Sequence, residues 1–128
     1  MEAKEVKGKL SKTQIEDLAD EIYQLLKKHD MWSDTFIYFN GCRIGNKDAE
    51  GHYHYNGKVY MEPDMDPRTY FEYVNPDHIL SMSFEGPVYH MLNYDEYPSV
   101  RKKFDAIFKK YGLYYELGNA WNLSCYYI

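Results

Sequence analysis

The sequence predicts a single α+β domain, in which an antiparallel sheet of hairpins carries two main helices on one face. Three observations indicate this fold class. The length of 128 residues suits one hydrophobic core. Two segments repeat apolar residues at helical spacing, and short alternating segments are separated by turn-forming Asn and Gly pairs. We expect residues 1–10 to form a polar N-terminal tail and residues 11–128 to form the domain.

Composition excludes several classes of protein. Apolar residues make up 45% of the chain and aromatic residues 18%, which is too much for a disordered protein. No apolar run approaches the roughly 20 residues that span a bilayer, and the basic N-terminus lacks the apolar segment of a secretory signal. Cys42 and Cys125 have no metal-binding or redox spacing, so we interpret them as reduced thiols of a cytoplasmic protein.

The first helix is predicted over residues 11–29. Ser11 stands three residues before Gln14, which is the spacing of a capping box. Apolar residues then recur at helical spacing from Ile15 to Leu26. Acidic residues near the start and lysines near the end suit the helix dipole.

Two Asn-Gly pairs predict β-hairpins in the middle of the chain. The first joins TFIYF to CRI through residues 40–41, and the second joins HYHY to KVYM through residues 56–57. A polar connection links the two hairpins, so the sequence predicts a four-stranded antiparallel meander.

The second half of the chain predicts two further strands, two helices and a third hairpin. The strands are TYFEYV (69–74) and HILSMSF (78–84), which follow a segment broken by two prolines. Pro87 begins a short helix, and Pro98 begins a longer one that ends at Gly112. The last hairpin joins LYYEL to AWNLSCYYI through a Gly-Asn turn at residues 118–119.

Acidic charge is concentrated in the middle of the chain. Residues 30–100 carry twelve acidic and four basic side chains, a net charge of −8, against −5 for the whole chain. Such a segment repels nucleic acid and attracts basic surfaces. We therefore expect no direct binding of nucleic acid, although a simple solvated surface remains an alternative explanation of this charge pattern.

Fifteen tyrosines suggest a binding surface. Tyrosine combines a large apolar ring with a polar tip, and it is enriched where proteins contact other molecules. A core lined by alternate tyrosines is the structural alternative. The predicted contact surface combines central tyrosines with neighbouring acids: Tyr53, Tyr55, Tyr60, Glu62, Asp64, Asp66, Tyr70 and Glu72.

Two histidines form an arrangement that suggests a metal site. His52 and His54 alternate on a predicted strand and share one face. In the predicted hairpin they lie opposite Met61 and Val59, which indicates that this face turns into the core and finds no further ligand. We therefore expect no metal and no cofactor, with a metal-dependent hydrolase as an alternative. Possible third ligands are His78, His90 and Asp66.

Three segments resemble parts of small uncharacterised proteins of gut Firmicutes and of their phages or mobile elements. These segments are TFIYFNG, NPDHILSMSFEGPVYHMLNY and YGLYYELGNAWNLSCYYI. In size and charge the chain is also similar to proteinaceous inhibitors of the anti-CRISPR and immunity-protein type. The resemblance implies no site residues.

These observations favour a non-catalytic interaction protein that binds and inhibits a macromolecular partner through an acidic, tyrosine-rich surface. A nucleic-acid-binding protein, with its basic groove, would be a complementary partner. The alternative is an aromatic-lined binder of a small ligand such as a nucleotide, whose phosphate would contact Arg43, Lys58 or Arg68. The oligomeric state is left open.

Overall fold

The computed structural model describes residues 9–128, which contain three α-helices and six β-strands. The elements are α1 (Lys12–Lys28), β1 (Thr35–Phe39), β2 (Cys42–Gly45), β3 (Tyr60–Pro63), β4 (Leu80–Phe84), α2 (Gly86–Asn93), α3 (Pro98–Lys110), β5 (Leu113–Asn119) and β6 (Asn122–Tyr127). The predicted α+β class is confirmed. Residues 1–8 of the predicted polar tail lie outside the described residues.

The six strands form one antiparallel sheet in the order β3-β2-β1-β4-β6-β5. Ile37 of β1 lies opposite Ile44 of β2 on one side and opposite Met82 of β4 on the other. Strand β3 lies at one edge of the sheet, whereas β4 lies near its centre. The connection of residues 64–79 between them must therefore pass across β2 and β1.

The hydrophobic core lies between the helices and one face of the sheet. Because side chains alternate along a strand, Ile37, Met82 and Leu123 point to the same face, and all three are fully buried. The helices complete the core with Leu18, Ile22 and Leu26 of α1, Val88 and Met91 of α2, and Phe104 and Phe108 of α3. The two main helices thus pack on one face as predicted, and the short α2 joins them.

The helix ends agree with the signals in the sequence. The hydroxyl of Ser11 accepts the N–H of Gln14 at 3.1 Å, and the side chain of Gln14 accepts the N–H of Ser11 at 2.8 Å, which completes the capping box. Pro87 and Pro98 occupy the first turns of α2 and α3. Gly112, with φ of +76°, follows the end of α3. Within residues 9–128, each helix is too short or too polar to cross a bilayer.

The second predicted hairpin is wrong. Residues 52–55 form only one isolated bridge, between Tyr53 and Lys47, and β3 pairs with β2 instead. The side chain of Asp48 accepts two backbone N–H groups of the loop that follows it. These local hydrogen bonds hold the chain in a tight loop, so the predicted four-stranded meander is reduced to β1, β2 and β3.

The predicted strand at 69–74 is also wrong. The side chain of Asp66 accepts the N–H of Arg68 at 2.9 Å and caps a 3₁₀ turn, Pro67–Thr69. Tyr73 has φ of +67°, which lies outside the extended region of a strand. The segment therefore forms turns.

The third hairpin has the predicted strands but a different turn. Asn119 pairs directly with Asn122, so the turn lies at residues 120–121 and not at 118–119. The side-chain oxygen of Asn119 accepts the N–H of Trp121 at 2.8 Å and so stabilises this turn. The shift places Trp121 at the tip of the hairpin.

Alkaline pH is expected to destabilise the contact between α3 and β5. The ring of Tyr115 packs against Phe104 and Phe108, with 5.6 and 5.0 Å between centroids, and its hydroxyl donates to Asp105. Burial, followed by this hydrogen bond, raises the pKa of Tyr115 above its ordinary value of 10.0. As pH rises, Tyr115 therefore loses its hydroxyl proton in the unfolded chain before it does so in the folded chain. Its contribution to the free energy of unfolding is complete below about pH 10. Above that pH the contribution falls, by up to about 1.4 kcal/mol per pH unit.

Urea unfolding between pH 8 and pH 11 tests this expectation. The free energy of unfolding should fall less steeply with pH for Tyr115→Phe than for the wild type. Tyr73→Phe, which changes an exposed tyrosine, is the control. Identical pH dependence of Tyr115→Phe and the wild type would contradict the prediction.

Candidate functional site

The sheet face opposite the helices, called the outer face below, is aromatic and polar. Phe36 and Tyr38 of β1, Arg43 of β2 and Ser81 of β4 point to it, because they alternate with the core residues. The connection between β3 and β4 packs over part of this face. The ring of Phe71 lies edge-on to Tyr38, with 5.3 Å between centroids.

A cleft of about 510 Å³, called the main cleft below, lies at one end of the outer face. It is formed where β1 begins, where β4 ends and where the β5–β6 hairpin turns. Strand pairing brings these places together, since Thr35 lies opposite Phe84 and Ser83 lies opposite Asn122. The connection after β3 supplies the remaining wall through residues 70–72.

Three carboxylates line the cleft: Asp34, Glu72 and Glu85. The backbone fixes two of them side by side, because the N–H of Glu85 donates to the carbonyl of Asp34 at 2.9 Å. The hydroxyl of Tyr55 donates to the Asp34 carboxylate at 3.1 Å, and this hydrogen bond raises the pKa of Tyr55. Among the described residues, no Lys, Arg or His lines this cleft, so its electrostatic potential is negative.

Five aromatic residues line the same cleft: Phe36, Tyr70, Phe71, Phe84 and Trp121. The backbone carbonyl of Trp121 accepts the N–H of Phe84 at 2.8 Å, so the hairpin tip is held against the end of β4. The Trp121 side chain is nevertheless 56% exposed. An exposed indole beside carboxylates is a surface that binding can bury.

A partly buried ion pair lies beside Phe36 in the wall of the cleft. The guanidinium of Arg43 lies 4.4 Å from the centroid of the Phe36 ring, forms a salt bridge with Glu62 and donates to the hydroxyl of Tyr38 at 3.2 Å. Burial alone would lower the pKa of Arg43, but its hydrogen bonds with Tyr38 and Glu62 raise it. The positive charge of Arg43 is thus neutralised locally, and the pair orients Phe36.

Asn122 adds a polar group to the cleft wall. Its side chain is buried and donates to the side-chain oxygen of Asn119 at 2.8 Å. Its own carboxamide oxygen has no hydrogen-bond partner within residues 9–128. Together with the carboxylates, it makes the polar lining of the cleft rich in hydrogen-bond acceptors.

Three of the eight predicted contact residues come together at the cleft. Tyr70 and Glu72 line it, and Tyr55 reaches its edge through the hydrogen bond to Asp34. Glu62 lies outside the cleft lining, where it binds Arg43.

The other four predicted contact residues lie elsewhere. The ring of Tyr53 lies near Lys47, and the ring of Tyr60 packs against His54 at 5.1 Å between centroids. Asp66 binds the guanidinium of Arg68 at 3.2 Å. Asp64 is exposed in a turn, with φ of +57°.

The three predicted phosphate contacts are separated from one another. Arg43 is buried in its ion pair, and the side chain of Lys58 is exposed away from the cleft lining. Arg68 lines a second cleft, of about 240 Å³, together with Tyr38 and His78. Because Asp66 already neutralises Arg68, this smaller cleft has little excess positive charge for a phosphate.

The prediction that His52 and His54 turn into the core is wrong. The side chain of His52 is 73% exposed. Val59 and Met61, the predicted apolar neighbours of His54 and His52, are exposed as well. The ring of His54 forms a hydrogen bond of 2.8 Å with the carboxylate of Asp48, which lowers the pKa of Asp48 to about 2.

The residues near His52 also differ from those expected. Asp48 and Glu50 approach it, and the three side chains each place one potential ligand atom within 4.8 Å of the others. The suggested third ligands were His78, His90 and Asp66. Among the described residues, none of these three belongs to the group around His52.

Nine of the eleven lining residues of the main cleft were not predicted as site residues from the sequence. Trp121 offered a signal, because an indole that follows Gly-Asn turn residues is placed near a hairpin tip and is hard to bury there. The other eight gave no comparable signal. They are Asp34, Phe36, Phe71, Ser83, Phe84, Glu85, Asn119 and Asn122.

Comparisons with known proteins give no family for the chain. No family model, no curated protein and no solved structure matches it. Function can therefore be inferred only from the groups that the fold brings together.

Proposed function

We propose that the protein is a non-catalytic interaction protein, which binds a basic partner protein by taking Lys or Arg side chains into the main cleft. The observation that carries this proposal is the combination of three carboxylates and five aromatic residues in one cleft whose described lining has no basic residue. Carboxylates form charge-assisted hydrogen bonds with guanidinium and ammonium groups. Aromatic faces attract the same cations.

Charge distinguishes this partner from an anionic ligand. Asp34, Glu72 and Glu85 would repel the phosphates of a nucleotide or a nucleic acid, and the neighbouring Arg43 is already paired with Glu62. Residues 30–100, with their net charge of −8, extend this negative field over the central part of the chain. Such a field increases the association rate of a basic partner at low ionic strength.

The volume of the cleft and the exposure of its aromatic rings support the binding of Lys or Arg side chains of a partner. A volume of about 510 Å³ falls within the range of roughly 300–1,000 Å³ typical of ligand sites. Trp121 and Tyr70 are each more than half exposed at the rim. Binding would bury these rings, and Trp and Tyr are among the residues that contribute most to the energy of interfaces.

Inhibition follows if the basic surface of the partner normally binds nucleic acid. The acidic cleft would then occupy cationic side chains that otherwise contact phosphates, and the two ligands would compete. We propose this as the mode of action, and it requires no chemical step.

The cysteines support a reducing compartment such as the cytoplasm. Cys42 and Cys125 are both free thiols. They lie on β2 and β6, which are three strand spacings apart in the sheet, a separation of roughly 14 Å. A disulfide needs Cα atoms within about 7 Å of one another, so the fold does not favour an internal disulfide.

Tryptophan fluorescence provides the experiment. A short peptide rich in Arg and Lys is titrated into the full chain, with an acidic peptide of equal length as the control. Trp121 reports on the cleft, because the other tryptophan, Trp32, is only 3% exposed. We expect a saturable change in emission with the basic peptide, which weakens as salt is added and is lost in Trp121→Phe. Equal responses to both peptides, or no response to the basic one, would contradict the proposed function.

A further inference from the structure

The loop between Asn46 and His54 is closed by its own backbone and by one carboxylate. The N–H of His54 donates to the carbonyl of Asn46, and the N–H of Asp48 donates to the carbonyl of His52, both at 2.8 Å. The carboxylate of Asp48 also accepts the N–H groups of Glu50 and His52, at 3.0 and 2.9 Å. These hydrogen bonds order the loop. They do not involve Oδ2 of Asp48 or the side chains of Glu50 and His52.

These side chains offer one nitrogen and two oxygen ligand atoms at close range. Nδ1 of His52 lies 3.8 Å from Oδ2 of Asp48 and 4.0 Å from Oε1 of Glu50. In a tetrahedral site with bonds of about 2.0–2.1 Å, ligand atoms lie about 3.4 Å apart. All three ligand atoms lie within 4.8 Å of one another, and Glu50 and His52 are highly exposed. Shifts of about 1 Å in their free side chains therefore reach this geometry.

His54 holds the Asp48 carboxylate in place. Its Nε2 lies 2.8 Å from Oδ2 of Asp48, and its ring packs against Tyr60. Carboxylates that bind metals are commonly fixed in this way by a hydrogen bond from a neighbouring side chain. With the ring N–H donating, a carboxylate oxygen still has a lone pair for a metal ion.

We propose that Asp48, Glu50 and His52 bind one divalent transition-metal ion of the zinc type, and that His54 positions Asp48. An imidazole with two carboxylates is a donor set that suits Zn²⁺ or Co²⁺. Mg²⁺ and Ca²⁺ prefer sites made of oxygen alone. Three protein ligands leave a fourth position for water. The site goes beyond the partner-binding function, because its three ligands do not line the main cleft.

Calorimetric titration of the full chain, with any purification tag removed, tests the site. We expect one Zn²⁺ ion per chain, and Co²⁺ should give the visible absorption bands of a bound ion with nitrogen and oxygen ligands. His52→Ala should weaken Zn²⁺ binding at least about tenfold, and His54→Ala should weaken it by roughly 10–100-fold. Since His52 is exposed, its replacement leaves the core intact, which circular dichroism checks.

His90→Ala is the matched control, because His90 is also exposed and lies 3.7 Å from the carboxylate of Glu96. It should bind Zn²⁺ as the wild type does. The proposal is overturned if Zn²⁺ does not bind at millimolar concentration, if His52→Ala binds it as tightly as the wild type, if His90→Ala is weakened equally, or if Ca²⁺ binds more tightly than Zn²⁺.

Discussion

Glu62→Ala is expected to lower the free energy of unfolding by about 3 kcal/mol, the lower end of the cost of breaking a buried ion pair. The substitution leaves the guanidinium of Arg43 without a carboxylate, and the Arg43 side chain is only 9% exposed. The hydroxyl of Tyr38 and the ring of Phe36 remain beside it, but neither carries a neutralising charge. The lower end applies because Glu62 is itself 25% exposed. Urea unfolding at neutral pH measures the change.

A double-mutant cycle separates the ion pair from simple packing. Arg43→Met should cost less than Glu62→Ala, because it fills the same space with an apolar chain and leaves a Glu62 that water can reach. The double variant Arg43→Met, Glu62→Ala should regain stability relative to Glu62→Ala, since no unpaired charge then remains. A cost of Glu62→Ala below that of Arg43→Met would show that the pair is not the source of stability.

The pairing of these two residues was not predictable from the sequence. Arg43 was expected to contact a phosphate and Glu62 to contact a partner, whereas the register of β2 and β3 places them directly opposite each other. That register depends on which segment forms β3. The sequence predicted another pairing for this segment, so the ion pair between Arg43 and Glu62 could not be predicted.

The parts of the fold that were predicted correctly depend on local interactions. The capping box of Ser11 and Gln14, the prolines at the starts of α2 and α3, and the Asn-Gly turn between β1 and β2 are each formed within a few residues. Local signals of this kind act on the backbone whatever the rest of the chain does. These signals were sufficient to predict the helices and the first hairpin.

The second Asn-Gly pair shows where local signals fail. Gly57 does adopt φ of +81°, as a tight turn requires. However, its carbonyl accepts the hydroxyl of Tyr23, and the carbonyl of Lys58 accepts the indole N–H of Trp32. Contacts with α1 and with the segment after it thus bind the backbone groups that flank the turn, and no hairpin forms. Tertiary contacts outweighed local preference.

The main cleft could not be predicted from the sequence for a different reason. Its walls come from segments near residues 34, 71, 84 and 121, which meet because β1 pairs with β4 and β4 pairs with β6. Neither pairing joins consecutive strands. Composition alone indicated an acidic, aromatic binding surface, and Tyr55, Tyr70 and Glu72 were identified as parts of it, but the strand order decides which acids and rings meet.

The combined variant Glu72→Gln, Glu85→Gln, Trp121→Ala is expected to weaken binding of the basic peptide at least about 100-fold, which corresponds to about 2.7 kcal/mol. Loss of an aromatic anchor costs about 2 kcal/mol in many interfaces, and each exposed charge contributes up to about 1 kcal/mol. All three side chains are exposed, so the fold should tolerate the changes. Calorimetric titration replaces fluorescence here, because Trp121 is removed.

The control variant removes the same kinds of group from another part of the molecule. Glu16→Gln, Asp20→Asn, Tyr94→Ala also neutralises two exposed acids and deletes one exposed ring, and it should bind the peptide as the wild type does. The cleft variant should also lose most of the salt dependence of binding, because the charges that attract the peptide are gone. If both triple variants weaken binding equally, the attraction comes from net charge alone and the cleft is not the binding site.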